Sequence, residues 1–227
     1  MKKTNMYKLA KGQWNPFVGC EFDCIYCKKS FKNMTKRYGM KIGCQGCIDY
    51  KPHYHSGRLN KRLPATGYME FIFTCDTGDI NFCSTEYLQK IVTVIKSYPD
   101  KTFLLQSKNP ITFNRVKFPR NVILGTTIET DNDILYKTQK ISNAPLPSQR
   151  YRDFLSVRHK TKMVTIEPVL PFTENLLNWV RELNPTIVWM GYDSKKCELP
   201  EPSTKEFMNL YQKIGLLHIP VIIKRGE

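Results

Sequence analysis

The sequence predicts an α/β fold in which parallel strands alternate with helices. Short apolar runs rich in β-branched and aromatic residues recur along the chain, and segments with a helical apolar period separate them. The strand-like runs are residues 67–74, 102–106, 122–127, 163–167, 187–191 and 221–223. Strands that alternate with helices in this way form a parallel sheet.

Three of the intervening segments, residues 84–98, 173–183 and 204–214, predict helices. The first begins with Ser-Thr-Glu, a sequence typical of a helix N-terminus. Each segment carries apolar residues on one helical face. These residues are Leu88, Ile91, Val92 and Ile95; Leu176, Leu177, Val180 and Leu183; and Phe207, Leu210, Tyr211 and Ile214. The prolines in residues 143–148 predict a turn between two further helices.

A short strand near residues 14–19 brings the total to six or seven β/α units. This number is too small for a closed eight-unit barrel. We therefore predict a single domain, residues 1–227, built as a partial (β/α)6 TIM-like barrel of parallel strands.

Composition and charge restrict the functional classes. A 227-residue chain with 41% hydrophobic residues can form a sizeable core, and nothing indicates disorder. The net charge is +15, and residues 1–62 hold 14 Lys and Arg against three acidic residues. This concentration of positive charge suggests DNA or RNA as a partner, although ordinary solubility is an alternative. No signal peptide or membrane-length apolar run is visible, so we expect a cytoplasmic protein with no membrane partner.

The most specific motif is a cysteine triplet, Cys20, Cys24 and Cys27, with Tyr26 before the last cysteine. Three thiolates on one short loop can hold three corners of a [4Fe-4S] cluster and leave the fourth iron without a protein ligand. An open metal position is typical of sites that do chemistry. Two alternatives remain at this point. A disulfide would need an oxidising compartment, and Cys24 and Cys27 also have the spacing of a structural zinc site.

A second constellation, Cys44, Cys47, His53 and His55, lies in a predicted insertion after the first strand, at about residues 38–62. Two Cys and two His are the ligands of a tetrahedral structural zinc, which would stabilise a loop of low apolar content. One alternative is a second Fe-S cluster that recruits Cys75 or Cys83, and the other is a set of incidental residues in a loop.

Polar residues follow four of the predicted strands, in residues 74–79, 125–130, 165–168 and 191–194. The carboxyl ends of parallel strands in a barrel meet at one rim, where such folds place their chemistry. Buried polar groups are costly unless they bind something polar. The four strand ends together predict a binding site, although any single one is equally consistent with helix capping.

The cysteine triplet resembles the cluster motif of the radical S-adenosylmethionine (SAM) superfamily. Five further segments extend this resemblance along the chain: residues 14–20, 104–110, 124–129, 165–170 and 188–194. The five segments together resemble a phage- and prokaryote-associated radical SAM-like family of unknown function, distantly similar to the spore photoproduct lyases. The resemblance runs from Trp14 to about Ser194. One departure is Tyr192-Asp193-Ser194, where the pattern has Gly-Glu-Ser.

The resemblance implies an enzyme that uses a [4Fe-4S] cluster to cleave SAM reductively. The resulting 5'-deoxyadenosyl radical would abstract hydrogen from a substrate. It also implies an electron donor of the flavodoxin or ferredoxin type. The family's chemistry can serve repair, methylation, thiolation, rearrangement or protein activation, so the resemblance does not identify the substrate.

The resemblance also implies roles for individual residues. Cys20, Cys24 and Cys27 ligate the cluster, and Tyr26 lies against the SAM adenine. Thr74 and Asp76 occupy the place of the segment that binds the SAM amino group, although the usual Gly-Gly-Glu is absent. Thr127 and Glu129 are candidates for contacts with the ribose and the methionine end, and Glu167 for contacts with the ribose hydroxyls or the substrate.

The alternative function is a non-catalytic, metal-stabilised nucleic-acid-binding module that uses the basic face. The polar strand ends favour the enzyme, because a binding module does not need carboxylates that converge on a cavity. The visible colour of anaerobically purified protein would distinguish the two classes.

Overall fold

A computed structural model of the chain describes residues 7–224. These residues form two compact units. The first contains the chain up to Glu21, Phe31–Ser107 and Thr112–Leu124. The second contains Phe22–Ser30, Lys108–Ile111 and the chain from Gly125 onward.

The described residues contain nine strands and eight α-helices. The strands are β1 (Ala10–Trp14), β2 (Phe17–Val18), β3 (His53–Tyr54), β4 (Phe71–Thr74), β5 (Phe103–Gln106), β6 (Val122–Thr127), β7 (Lys162–Ile166), β8 (Ile187–Met190) and β9 (Val221–Ile223). The helices are α1 (Ile25–Cys27), α2 (Asn33–Ile42), α3 (Gln45–Asp49), α4 (Thr85–Lys96), α5 (Asp133–Thr138), α6 (Pro147–Ser156), α7 (Glu174–Leu183) and α8 (Thr204–Leu216). A π-helical turn, Lys28–Lys32, connects α1 to α2.

Seven of these strands form one sheet with the order β1-β4-β5-β6-β7-β8-β9. The pairs β1/β4, β4/β5, β7/β8 and β8/β9 are parallel. In the last two pairs Val164 lies opposite Val188, and Val188 opposite Val221. An order that follows the chain is typical of β/α barrels, whereas doubly wound sheets reverse direction at a switch point. The predicted parallel α/β fold is confirmed, and the order is consistent with a partial barrel.

The first strand differs from its prediction. The sheet begins with β1, Ala10–Trp14, whereas a strand was expected near residues 14–19. Pro16 has no N–H for a strand ladder, and the chain leaves the sheet there. The next two residues form β2, which pairs antiparallel with β3 in a separate two-stranded sheet. The other six strands start within four residues of their predicted positions.

The three predicted helices form where their capping residues indicate. The Ser84 and Thr173 side chains accept backbone N–H groups at the starts of α4 and α7. Ser203 and Glu206 form a capping box at the start of α8. The predicted apolar faces are buried, except that Tyr211 is half-buried. Helices α5 and α6 lie on either side of the predicted proline break.

Each unit has its own core. In the first unit the buried Trp14 indole contacts the Phe103 ring edge to face, with centroids 6.1 Å apart. In the second unit Trp189 and Phe154 are buried. Between residues 7 and 224, no helix is both long and apolar enough to cross a membrane.

Candidate functional site

The side chains of Cys44, Cys47, His53 and His55 come together in the first unit. Their ligand atoms all lie within 4.8 Å of one another. His53 Nε2 is 3.4 Å from Cys44 Sγ and 3.3 Å from Cys47 Sγ. His55 Nε2 is 3.3 Å from Cys47 Sγ and 2.9 Å from His53 Nε2. Four residues predicted as one ligand set therefore form one cluster.

The geometry of this cluster fits a tetrahedral metal ion. Zinc bonds of about 2.3 Å to sulfur and about 2.0 Å to nitrogen place tetrahedral ligand atoms about 3.3–3.8 Å apart. The three N···S distances lie at the lower end of this range, and the two Nε2 atoms, at 2.9 Å, would move slightly apart to accommodate the ion. The group includes neither Cys75 nor Cys83, which are buried elsewhere in this unit. A Cys2His2 set that can hold a metal ion is thus present.

Local structure explains how these ligands converge. Cys44 is the N-cap of α3, and the backbone N–H of Cys47 donates to its sulfur at 3.4 Å. His53 Nδ1 lies 2.7 Å from the Lys51 carbonyl oxygen, so it carries the proton and Nε2 faces the thiols. A Cβ at Gly46 would lie 2.7 Å from His53 Cγ, so only glycine leaves room for this ring.

Burial determines the protonation of two of the ligands. It lowers the pKa of His55 to about 4, with further contributions from Arg58 and His53. His55 is therefore neutral at pH 7, the form in which imidazole binds metals. Burial also raises the pKa of the Cys47 thiol to about 12. A cation bound to the sulfur would reverse that effect, because a coordinated thiol loses its proton.

The Cys/His loop supports the backbone of the first triplet cysteine. Val18 pairs with His53 in the two-stranded sheet, and the Cys20 N–H donates to the Tyr50 carbonyl at 3.3 Å. Between them, Gly19 has φ of +100°, and a Cβ there would overlap the Lys51 carbonyl.

A second set of bonds holds Gly19 independently of that loop. Its N–H donates to the Thr77 carbonyl at 3.1 Å, and its carbonyl accepts the Asp79 N–H at 3.2 Å. The backbone before Cys20 is therefore fixed from two sides.

The other two triplet cysteines belong to the second unit. The Cys27 N–H donates to the Cys24 carbonyl at 3.0 Å, and Cys24 Sγ lies 3.1 Å from Ser142 Oγ. A hydrogen bond from the Cys27 side chain lowers the pKa of the Cys24 thiol to about 6, assisted by Lys108 and opposed by burial. None of the eight cysteines, all within residues 7–224, forms a disulfide. The disulfide alternative therefore has no support in the structure.

A buried ion cluster lies in the same unit as Cys24. Glu129 pairs with Lys108, and its Oε2 lies 2.8 Å from Arg150 Nη1. The Tyr26 hydroxyl donates to Glu129 Oε1 at 2.5 Å. The side chains of Glu129 and Arg150 have no solvent exposure. Tyr26, which lies between Cys24 and Cys27 in the chain, is thereby hydrogen-bonded to a fully buried carboxylate.

This cluster, which we call the Glu129 cluster (Lys108, Glu129, Arg150 and Tyr26), contains more positive than negative charge. Burial raises the pKa of Glu129, but the positive charges of Arg150 and Lys108 outweigh this effect and lower the pKa to about 2. Two cations then face one carboxylate. Arg150 Nε and Nη2 and the hydroxyl of Tyr136, whose ring lies under the guanidinium, are buried without a hydrogen-bond partner among the described residues. An excess buried cation with unused donors favours a nearby anion.

Thr127 joins this cluster through its backbone. Its carbonyl accepts a hydrogen bond from Arg150 Nη1, and its side chain is half-buried. Thr127 and Glu129, predicted as ligand contacts, therefore lie near Tyr26 in the second unit.

Thr74 and Asp76 lie in the first unit. Thr74 is the last residue of β4, and Asp76 lies just beyond the end of that strand. Gln13 Nε2 donates to one Asp76 oxygen, and the Asn15 side chain also hydrogen-bonds to the carboxylate. Burial raises the pKa of Asp76 to about 6. The other Asp76 oxygen and Asn15 Oδ1 are buried acceptors without a partner among residues 7–224. The Thr74 hydroxyl donates to the Ile72 carbonyl at 3.4 Å. Two unused acceptors suit a ligand with several N–H donors.

Glu167 forms a separate contact in the second unit. Lys224 Nζ donates to its Oε1 at 2.5 Å and to Ser194 Oγ at 3.1 Å. Burial raises the pKa of Glu167, and Lys224 opposes this. Nearby, the Asp193 carboxylate accepts the backbone N–H groups of Lys195 and Cys197. Asp193 is thus used within its own loop, at the position where the sequence departs from the family pattern.

Sequence reasoning missed the basic partners of the carboxylates. Lys108 lies in one of the five segments that carry the family resemblance, residues 104–110, but no role was predicted for it. Arg150 occupies an unremarkable position in α6, and Lys224 follows the last strand. Of these three basic residues, only Lys108 lies within a sequence motif that could have indicated a functional role.

We expect the Glu129→Gln variant to be strongly destabilised. It leaves two buried cations without a counter-charge, a change that costs about 3–5 kcal/mol of unfolding free energy. The matched control is Glu174→Gln, which breaks the exposed Lys213–Glu174 pair and should cost no more than about 1 kcal/mol. Urea unfolding of both variants measures the difference. Equal losses would show that the Glu129 cluster has no special role in stability.

The sequence matches no protein-family model and no curated protein.

Proposed function

We propose that this protein is a radical SAM enzyme. In this proposal Cys20, Cys24 and Cys27 ligate a [4Fe-4S] cluster whose fourth iron binds SAM. The observation that carries the proposal is the C-x3-C-x2-C triplet with Tyr26 before its last cysteine. When bound, the cluster supplies the electron that cleaves SAM to a 5'-deoxyadenosyl radical, which abstracts hydrogen from the substrate. A donor of the flavodoxin or ferredoxin type provides the electron.

The surroundings of Cys24 support this proposal. A thiolate is the ligand form of cysteine, and the hydrogen bond from Cys27 favours the Cys24 thiolate. The excess positive charge of the Glu129 cluster would offset the negative charge that the Cys24 and Cys27 thiolates bring to the second unit, and Lys108 already favours the Cys24 thiolate. Glu129 also fixes the Tyr26 hydroxyl, and thereby orients the ring that we expect to lie against the adenine.

Three other sites carry the proposed SAM contacts. Asp76 and Asn15 offer two buried acceptors to the amino group. Glu167 retains one buried oxygen without a partner in the described chain, which suits a ribose hydroxyl. Thr127 stays a candidate for the ribose or the methionine end. A single-domain partial (β/α)6 barrel is part of the same proposal.

We propose zinc as the metal of the Cys2His2 group. Two thiols and two imidazoles are the donors that zinc prefers, and histidine is uncommon in [4Fe-4S] ligation. All four ligand positions come from the protein, so this metal has a structural role.

The decisive experiment is reductive SAM cleavage by anaerobically reconstituted protein. Iron and sulfide analysis, visible absorption and 5'-deoxyadenosine formation after reduction with dithionite are measured together. We expect brown protein that forms 5'-deoxyadenosine. Colourless protein that holds only zinc under these conditions would contradict the enzyme and favour a nucleic-acid-binding module. Deuterium transfer from labelled polymers into 5'-deoxyadenosine would then identify the substrate.

A further inference from the structure

Helix α2 exposes an unusual mixture of side chains. Its buried residues, Thr35 and Gly39, face one direction. Among the exposed residues, Met34, Arg37, Tyr38 and Lys41 follow the i, i+3, i+4, i+7 spacing of one helical face. We call these four residues the α2 face. This face therefore combines one aromatic, one apolar and two basic side chains.

The charge around this face is strongly positive. Residues 28–62 contain ten Lys and Arg and a single acidic residue, Asp49. Asp49 accepts two hydrogen bonds from the Gln45 amide. Lys28 pairs with Asp23 of the preceding turn, with a distance of 3.7 Å between its Nζ and the carboxylate. The segment is therefore complementary to a polyanion.

Tyr38 is held in place but remains accessible. The Arg58 guanidinium lies over its ring, 5.4 Å from the centroid, while 47% of the tyrosine stays exposed. Arg58 is itself fixed, since its Nη1 donates to the Asn15 carbonyl at 2.7 Å and its carbonyl accepts the Trp14 indole N–H. A ring that is already ordered loses little conformational entropy on binding.

Two cysteines of the Cys2His2 group pack against the buried side of α2. The Cys44 N–H donates to the Gly39 carbonyl at 2.9 Å. A Cβ at Gly39 would lie 2.7 Å from Cys47 Cβ, so the helix lies directly against two metal ligands. The α2 face is thus presented by a metal-supported scaffold.

We propose that the α2 face binds single-stranded nucleic acid, with a base stacked on Tyr38 and phosphates bound by Arg37 and Lys41. Aromatic rings between cations are the usual platform for unpaired bases. Single strands are favoured over duplexes, because a paired base has no open face for the ring. This proposal names the substrate class of the proposed enzyme and so rests on it, but binding is measured without SAM. Failure of binding and failure of SAM cleavage are therefore distinguishable.

The test is fluorescence anisotropy with a labelled 20-nucleotide oligo-dT and zinc-loaded full-length protein. Tyr38→Ala should weaken binding roughly tenfold, and Tyr38→Phe, which keeps the stacking ring, should bind like the wild type. Arg37→Glu with Lys41→Glu should weaken binding further and reduce the slope of log affinity against log salt by about 1.4, since each phosphate contact to a single strand contributes about 0.7. The matched control is Lys90→Glu with Lys96→Glu on α4. It makes the same charge change at exposed positions and should retain most of the affinity and the full slope.

Several results would overturn the proposal. These are wild-type affinity of Tyr38→Ala, equal losses in the α4 control and the α2 variant, or equal affinity for a 20-base-pair duplex. Zinc content measured for every variant shows that the scaffold is intact. If the oligonucleotide does not bind while an acidic flavodoxin does, and Tyr38→Ala weakens that complex, then the α2 face is a protein-docking site and the proposal is wrong.

Discussion

We expect the Cys24→Ala variant to lose its [4Fe-4S] cluster and all SAM cleavage, and Cys20→Ala and Cys27→Ala to do the same. Each substitution removes one of the three proposed thiolate ligands, and residues 20–27 contain no other cysteine. Iron and sulfide content, visible absorption and 5'-deoxyadenosine formation measure the loss. Cys197→Ala is the control, because this half-buried cysteine follows β8 and has no proposed ligand role. Retention of SAM cleavage by any of the three variants would overturn the cluster assignment.

The second large effect concerns the Cys2His2 group. Cys47→Ser should lose one equivalent of zinc and become sensitive to proteolysis between Arg37 and Arg58. Structural zinc contributes about 10–16 kcal/mol of apparent binding energy to small zinc-dependent folds, so losing a ligand should disorder this polar segment. Zinc analysis and limited proteolysis measure the two results, with Cys197→Ser as the control.

Iron bound by the triplet should stay near its wild-type level in Cys47→Ser. The Thr77 and Asp79 backbone bonds to Gly19 do not involve the Cys/His loop. The opposite result, loss of about half the iron and sulfide with zinc unchanged, would identify the second site as an Fe-S cluster.

The parts of the structure that sequence reasoning predicted are local in the chain. The β/α alternation depends on periods of two to four residues, and the caps at Ser84 and Thr173 lie beside the helices they start. The ligand group spans only residues 44–55. The spacing of these four ligands could therefore be recognised from the sequence without knowledge of the fold.

The parts that were missed depend on distant segments. Lys108, Glu129 and Arg150 meet across 42 residues of the chain, at two intervals of 21 each. A buried cation is not distinguishable from a surface cation by type or period. Gln13 meets Asp76 across 63 residues. The position of the first strand was wrong for a different reason: residues 14–19 were interpreted as a sheet strand, but Phe17 and Val18 pair with β3 in the Cys/His insertion.

The Glu129 cluster affects how the pH dependence of the proposed enzyme would be interpreted. Glu129 has a pKa of about 2. Burial lowers the pKa of Lys108, but Glu129, Tyr136 and Cys24 together raise it by more, so the lysine stays charged to high pH. The cluster therefore carries the same charge throughout the range of roughly pH 4 to 10 in which assays are run. A change of rate near neutrality must be assigned to other groups, and Asp76, with a pKa of about 6, is the first to examine.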